Sequence, residues 1–516
     1  MKTTAPSPVR RGVMMRPPRL TSLVAVSLCA LLVGAPSARA QQPAPATAAP
    51  KAAAPAKAPL SDVVKAPRPK GGEYFGLYLM DKKVGWLFTD LELLPGEPAR
   101  VKSTNQLVFK AMVGTRVSER THREERIYEA APGGRLLSFT VTQKGDGGDQ
   151  TLVGTATPEG VRVVRKRPGR ADEELPKLPP AKERVEDADG ARVALLRKAK
   201  VDGFTLDGMD LRTYGVTTTV EPPEQRVVNG VKVKLGKAST LSEKEKVPVT
   251  AFVTQRGEMV LVDFGQTMQA RKETEAVARR LDLVEVFGLT RVVLPRQLPD
   301  SARAVPGSVT LVVQGLPEKF REQNYRQKYK ALPDGRVEVT LSAAAPAVRK
   351  PRPLTDPDGG ENLESTLVVE SNAPAIRELS KKIIGDEQDA YRAAQKVNAW
   401  VYRNLSKDYG ASADRATDVL EQKRGDCTEH SLLAVALLRA AGIPSRRVDG
   451  VIYMVNEDQV PALYWHEWVE AYVGEWTQLD PTFNQPVADA THFAFGEEGN
   501  AEITPLIGAL KVTDVK

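Results

Sequence analysis

From Gly71 to Gly265 the chain alternates apolar and polar residues in short runs and breaks nearly every run at a turn, a pattern that strands can use and helices cannot. "YFGLYLMDKKVGWLFTDLEL" holds two apolar-aromatic runs around Asp81–Lys83. "VVNGVKVKL" centres on Asn229–Gly230 and "AFVTQRGEMVLVDF" turns at Arg256–Gly257, dipeptides suited to tight hairpins. Residues 71–283 are therefore read as an antiparallel β-rich domain, a curved sheet or partial barrel, closed by a short helix at Glu273–Leu281. A smaller β-domain follows over 284–370, with strands in "SVTLVVQGL" and "YKALPDGRVEVTLS" and a turn at Asp334–Gly335.

After Ser371 the period changes from two to that of a helix. "SNAPAIRELSKKII" opens with cap-like Ser371–Asn372 and Pro374, and "DEQDAYRAAQKVNAWVYRNL" sets Ala393, Val397, Trp400, Val401 and Leu405 on one face. The fold class is α+β, with antiparallel β-rich domains preceding a C-terminal domain over 371–516. A chain of 516 residues suits several domains at ~100–200 residues each.

Residues 1–40 read as an export signal. Lys2, Arg10, Arg11, Arg16 and Arg19 precede the apolar core "LTSLVAVSLCALLVG", and Ala38–Ala40 fits a small-x-small cleavage site. The core is shorter than the ~20 residues that cross a bilayer, so a stable membrane span after signal removal is not expected. Arg10–Arg11 leaves open the twin-arginine and the general secretion routes. Residues 41–70, rich in Pro and Ala, read as a disordered linker. The leader carries six Lys and Arg and no acidic residue, so the net charge of +8 becomes +8 − 6 = +2 once it is removed. That balance points to neither nucleic acid nor acidic partners. Removal of Cys29 also leaves Cys427 as the one thiol, which excludes an internal disulfide and any multi-cysteine metal site. The expected location is exported, periplasmic or secreted.

Cys427 lies in "KRGDCTEHSLLAVALLRAAGIPSR". Gly425 permits a turn, Asp426 suits an N-cap, and Gly442-Ile443-Pro444 ends the apolar run, which puts Cys427 in the first turn of a helix. Unpaired N–H groups and the positive end of the dipole can lower a thiol from about 8.5 to about 3.5–7.5 there. The expectation is a thiolate nucleophile beside N–H groups able to hold an oxyanion. A thiolate needs a proton donor for the leaving group, and "YWHEWVEAYVGEWTQLDPT" supplies His466 on one strand and Asp480 at the end of the next. A two-residue turn at Gly474–Glu475 would place these two on opposite faces, so the pairing requires an odd loop such as Val473–Glu475, or a bulge.

These residues carry a resemblance. "GDCTEHSLL…AGIPSR", "HEWVEAY" and "WTQLDPT", in that order over Ser371 to Thr491, resemble the transglutaminase-like superfamily of papain-type thiol enzymes, in its exported bacterial form. The resemblance implies a papain-like C-terminal domain and a Cys-His-Asp triad of Cys427, His466 and Asp480. It implies cleavage or acyl transfer at amide bonds through a thioester, with a protein or peptide substrate of the cell envelope. The family also holds members without activity, so a binding or scaffold protein that recognises partners through its β-domains is the alternative. Tyr409, Trp465 and Trp468 are candidates for the oxyanion or the substrate groove. His430 reads as a packed helix histidine, His492 as structural and His122 as a strand-surface residue. "HEWVE" lacks the second histidine of a zinc helix, and "GVKVKLGKA" misses both the spacing and the Ser/Thr of a phosphate loop, so neither metal, nucleotide nor other cofactor is expected.

N-terminal sequencing of the chain recovered from a bacterial envelope fraction is expected to begin at Gln41. Recovery in the cytoplasm with the first forty residues intact would overturn the export reading.

Overall fold

The computed structural model describes residues 59–516 except 114–115, 146–148, 209–210, 229, 245–246, 266, 322, 409–412, 414, 457, 498–502 and 504–505. The expected signal, the linker as far as residue 58, Asn229 and Tyr409 lie outside the described residues. The linker gives way to folded chain earlier than its composition implies. Ser61 caps a one-turn helix, Asp62–Lys65, and donates to Glu186 Oε1 at 2.7 Å, while Val63 is fully buried.

The first region forms one antiparallel 14-stranded sheet made of two meanders that meet. One runs from Glu73–Leu79 to the edge at Glu173–Glu174, the other from Val201–Leu206 to Met268–Glu273, and the two join where Leu77 faces Ala270. The turn signals read in the sequence fall where expected. Val228 faces Val231, Gly230 holds φ of 79°, and Gly257 and Gly335 hold φ of 81°. The helix expected over Glu273–Leu281 is only Glu275–Ala278, because Glu273 remains paired with Tyr74 in the sheet. His122 is buried rather than at the surface. It bonds Glu124 at 3.1 Å, and Arg126 beside it bonds Glu124 and Glu183 at 2.8 and 2.6 Å, since the segment around Glu183 folds over this face.

The smaller sheet has the order Gln327–Ala331, Val337–Ala343, Gly307–Gln314, Lys511–Val515. Its fourth strand comes from the C-terminus, with Val313 facing Val512, so chain from both sides of residue 371 shares this sheet. Arg326 of this sheet donates to the carbonyls of Ala488 and Asp489 at 2.7 Å, and Gln327 exchanges hydrogen bonds with Ala494. The helices Pro374–Ile384, Ala390–Asn404, Ala416–Gln422 and Cys427–Ala440 pack against a sheet built on Ser445–Val455 and Pro461–Tyr472. A continuous apolar core runs from Phe75 and Leu107 through Leu311 and Val339 to Leu433 and Trp465. Among the described residues no helix is long and apolar enough to cross a membrane.

A clasp joins the large sheet to the C-terminal helices. Arg165 and Arg167 bond the two oxygens of Asp418 at 2.7 and 2.6 Å, and Arg170 bonds Glu421. Asp418 sits on the helix Ala416–Gln422, a few residues before Cys427. Asp418→Ala removes the nearer of two acidic partners of the Arg165 side chain, which is only 3% exposed, and leaves it Glu173 at 3.7 Å. Removing one partner of a pair held this far from water should cost about 3 kcal/mol in denaturant unfolding. Glu174→Ala, which breaks the solvent-exposed pair with Arg162, should change nothing measurable. Equal stabilities of the two variants would show that the clasp does not hold the parts together.

Candidate active site

Cys427 is the first residue of the helix Cys427–Ala440, as its flanking residues imply. Asp426 is the N-cap: its Oδ1 accepts from the Thr428 N–H at 2.9 Å, and its own N–H donates to Glu429 Oε2 at 2.8 Å, a reciprocal capping box. The Asp-x-x-Glu spacing was present in the sequence as the signal for it. Leu432, Leu433, Val435, Leu437 and Leu438 are all buried, so the helix is held by its apolar faces, and Ser431 Oγ donates to the Glu467 carbonyl at 3.1 Å. That bond pins the helix start to the strand that carries His466.

The His466 strand, Pro461–Tyr472, turns back into Trp476–Leu479 with Tyr472 facing Trp476. The loop is therefore Val473-Gly474-Glu475, the odd length that sequence parity required, and Gly474 supplies φ of 127°. With Val469 facing Leu479, the strand runs on to Asp480, and His466 and Asp480 share one face. His466 Nε2 donates to Asp480 Oδ2 at 2.8 Å. On the other side His466 faces Gly450, where a Cβ would lie 2.1 Å from the Phe493 carbonyl oxygen and 2.5 Å from the Trp468 ring, so only glycine lets these strands approach.

Asp480 is the hub. Its Oδ1 accepts from the Thr482 and Phe483 N–H groups at 2.7 and 3.2 Å, the turn that Asp-Pro begins. Its Oδ2 accepts from His466 and also from His492 Nε2 at 3.1 Å. Burial opposes the charge on Asp480, yet the two imidazoles hold its carboxyl well below the ordinary range. Burial lowers His466 against the pull of Asp480, whereas for His492 the bonds to Asp480 and Asp489 overcome burial and raise it.

The thiol departs from the sequence expectation. Cys427 is 2% exposed, and burial, followed by the carboxylates of Asp426 and Glu467, pushes it up rather than down; a backbone hydrogen bond from Glu467 opposes them. Dipole and N–H groups at the helix start do not offset the loss of water and the nearby acids. His466 Nδ1 is buried and has no hydrogen-bond partner, so thiol and imidazole are not bonded at rest. Cys427 instead lies against the backbone of the residue that follows His466.

Trp465 and Trp468 do not line an open groove. They are 1% and 0% exposed, with their indole N–H groups on the Thr290 carbonyl and Gln478 Oε1, both at 3.0 Å. His430 is packed as expected, its Nδ1 on the Asp426 carbonyl at 2.6 Å, with burial as the main cause of its lowered proton affinity. Three neighbours escaped sequence reasoning. Phe483 lies 5.2 Å from the His466 ring, and Lys407 lies 4.7 Å over Phe483, its proton affinity lowered by burial. His492 escaped because nothing in "ADATHF" signals that its strand pairs beside Ser445–Val455. His466, Asp480 and His492 each offer a ligand atom within 4.8 Å of the others, and a cation there would have to displace both hydrogen bonds to Asp480.

Residues 377–481 match the family model of the transglutaminase-like superfamily. An uncharacterised protein of Haemophilus influenzae is 29% identical over 99 residues, and one of Mycobacterium leprae is 28% identical over 106. These matches cover 18% and 20% of this chain and only 27% and 38% of the relatives' own lengths. Among solved structures, a proposed cysteine protease from Cytophaga hutchinsonii is 17% identical with a TM-score of 0.27, covering 41% of this chain and 83% of that one. A β-barrel-like protein from Brucella abortus is 10% identical with a TM-score of 0.30, covering 39% and 94%.

Asp480 and Asp489 hold folded-state proton affinities below the unfolded value of about 3.9. The stability they contribute is fully present above about pH 4 and is lost as pH falls below it. Asp480→Asn should therefore flatten the acid side of the stability profile in denaturant unfolding. An acid limb as steep as that of the natural chain would show that Asp480 is not held in its charged form.

Proposed function

With residues 377–481 belonging to the transglutaminase-like superfamily, we propose that the chain is a thiol enzyme of papain-like type that cleaves or transfers at amide bonds of protein or peptide substrates. One observation carries the reading: Asp480 engages His466 Nε2 at 2.8 Å and so leaves Nδ1 as the ring's open nitrogen, on the strand whose next residue abuts the Cys427 sulfur. Asp480 fixes the tautomer, as the orienting member of a triad does.

In this reading Cys427 Sγ attacks the substrate carbonyl while its proton passes to His466 Nδ1. The carbonyl oxygen becomes an oxyanion near the first turn of the helix that Cys427 begins, where helix N–H groups point out of the end. Collapse breaks the C–N bond, His466 returns the proton to the departing amine, and a thioester remains on Cys427. Water or a second amine then attacks the thioester, giving hydrolysis or transfer. At rest both partners are neutral and unbonded, so the substrate must bring sulfur and ring together; catalytic hydrogen bonds often tighten only in the loaded complex. Export to the periplasm or the medium completes the proposal, on the strength of the leader alone.

The 2% exposure of Cys427 favours the second reading, a partner-binding protein with a retained fold. Incubation of the full chain with an activated ester, followed by peptide mass spectrometry, separates the two. The enzyme reading expects an acyl adduct on Cys427 that is absent in Cys427→Ala and in His466→Ala and that disappears when a primary amine is added. Acylation spread over lysines alone, unchanged in both variants, would leave the binding reading.

A further inference from the structure

We propose that His492 is a positioning residue of this site, a permanently charged imidazolium that braces Asp480 and sets how firmly His466 holds its proton. The inference rests on the triad reading only for its catalytic consequence; the charge and placement of His492 stand independently of it.

Both ring nitrogens of His492 meet acids. Nε2 faces Asp480 Oδ2 at 3.1 Å, and Nδ1 faces Asp489 Oδ1 at 3.2 Å with the Asp489 carbonyl at 3.3 Å. A neutral imidazole donates from one nitrogen only, so two carboxylate partners are both satisfied only by the protonated ring. The ring is 1% exposed, and no solvent competes for either bond. The acids are themselves fixed. Asp489 Oδ1 also accepts from the N–H and hydroxyl of Thr491 at 2.9 and 2.6 Å, and Asp489 Oδ2 from Gln485 at 3.0 Å. The Trp468 ring packs edge-on against His492 at 5.0 Å. The raised proton affinity of His492 agrees with this geometry.

The consequence falls on His466. Its ring centre is 6.0 Å from that of His492, and both donate to the same oxygen. A charge on His492 satisfies part of the Asp480 charge, so His466 is held as a weaker base than in a plain His–Asp pair; repulsion from His492 contributes to its lowered proton affinity after burial. The other charged groups facing this cluster are Asp426 from the nucleophile helix, Lys407 from across Phe483 and Arg326 behind the Asp489 carbonyl. None of them touches His466. A two-carboxylate clamp on His492 is more than a buried structural histidine requires, and it puts a fixed positive charge where it weakens a general base.

The test uses the full chain. Nitrogen-15 spectra of histidine-labelled natural protein at neutral pH should show both nitrogens of His492 protonated, and His466 neutral with Nε2 protonated. In His492→Gln, which retains an amide donor toward Asp480 without the charge, the His466 titration should move to higher pH. The pH at which iodoacetamide alkylates Cys427 at half its maximal rate, followed by peptide mass spectrometry, should rise with it, because removing a positive charge disfavours a thiolate. Asp489→Asn, which frees Nδ1, should shift both in the same direction. A neutral His492 in the natural chain, or an unmoved His466 titration in a folded His492→Gln or Asp489→Asn protein, would overturn the proposal. A Cys427 that resists iodoacetamide at every pH while His466 still titrates as described would count against the thiol-enzyme reading and leave the role of His492 standing.

Discussion

The Asp480 carboxylate is bonded on all sides, to two backbone N–H groups through one oxygen and two imidazoles through the other. A carboxylate with no exposure survives as an anion only if its lone pairs are occupied by donors, and here the four donors come from three separate stretches of chain. The Asp-Pro turn, the His466 strand and the strand that begins at His492 are thus fixed relative to one another by one group. The three-residue loop at Val473–Glu475 puts Asp480 on the correct face, and Gly450 lets the strands close around it. The C-terminal strand and Arg326 brace the same region from the smaller sheet. The smaller sheet is a structural support of the site as well as a neighbour of it.

Burial then works against the chemistry that the residues suggest. Removing water disfavours the thiolate of Cys427 and the imidazolium of His466 at once, so the neutral pair is the resting state. A charged pair becomes favourable only when sulfur and ring meet and each stabilises the other. A neutral, enclosed thiol is also a poor target for oxidants, whose reactivity follows thiolate character and access. Under the proposed export, that protection is a benefit of the same burial that slows the attack.

Local chemistry was legible in the sequence because it is read from near neighbours. Asp426 and Glu429 cap the helix within one turn, Gly230, Gly257 and Gly335 mark hairpins, and the period of two dictates whether His466 and Asp480 can share a face. What the sequence withheld depends on distant pairing. The strand at Lys511–Val515 joins a sheet begun two hundred residues earlier, and the short helix at Asp62–Lys65 is held by Glu186. His122 and His492 stand in segments whose surroundings are supplied by other parts of the chain, Glu183 and its loop for one, Asp480 for the other. The thiol was misjudged for a related reason. The helix dipole acts locally and can be read from the caps, but the desolvation of Cys427 and the acids facing it come from the tertiary fold.

In the proposed thiol-enzyme reading, substrate entry has to loosen some of these supports. The nucleophile helix is tied to the His466 strand by Ser431, and the helix before it is tied to the large sheet by Arg165 and Arg167 through Asp418. The first bond lies between the two halves of the chemistry, where a movement large enough to break it would also disorder the triad. The second lies outside, at the junction of the sheet with the helix that leads to Lys423 and the Arg424–Gly425 bridge. A hinge is tolerated best where it changes access without changing the reacting geometry. On that ground the proposed mechanism puts the opening at the Asp418 junction and requires the Ser431 bond to hold.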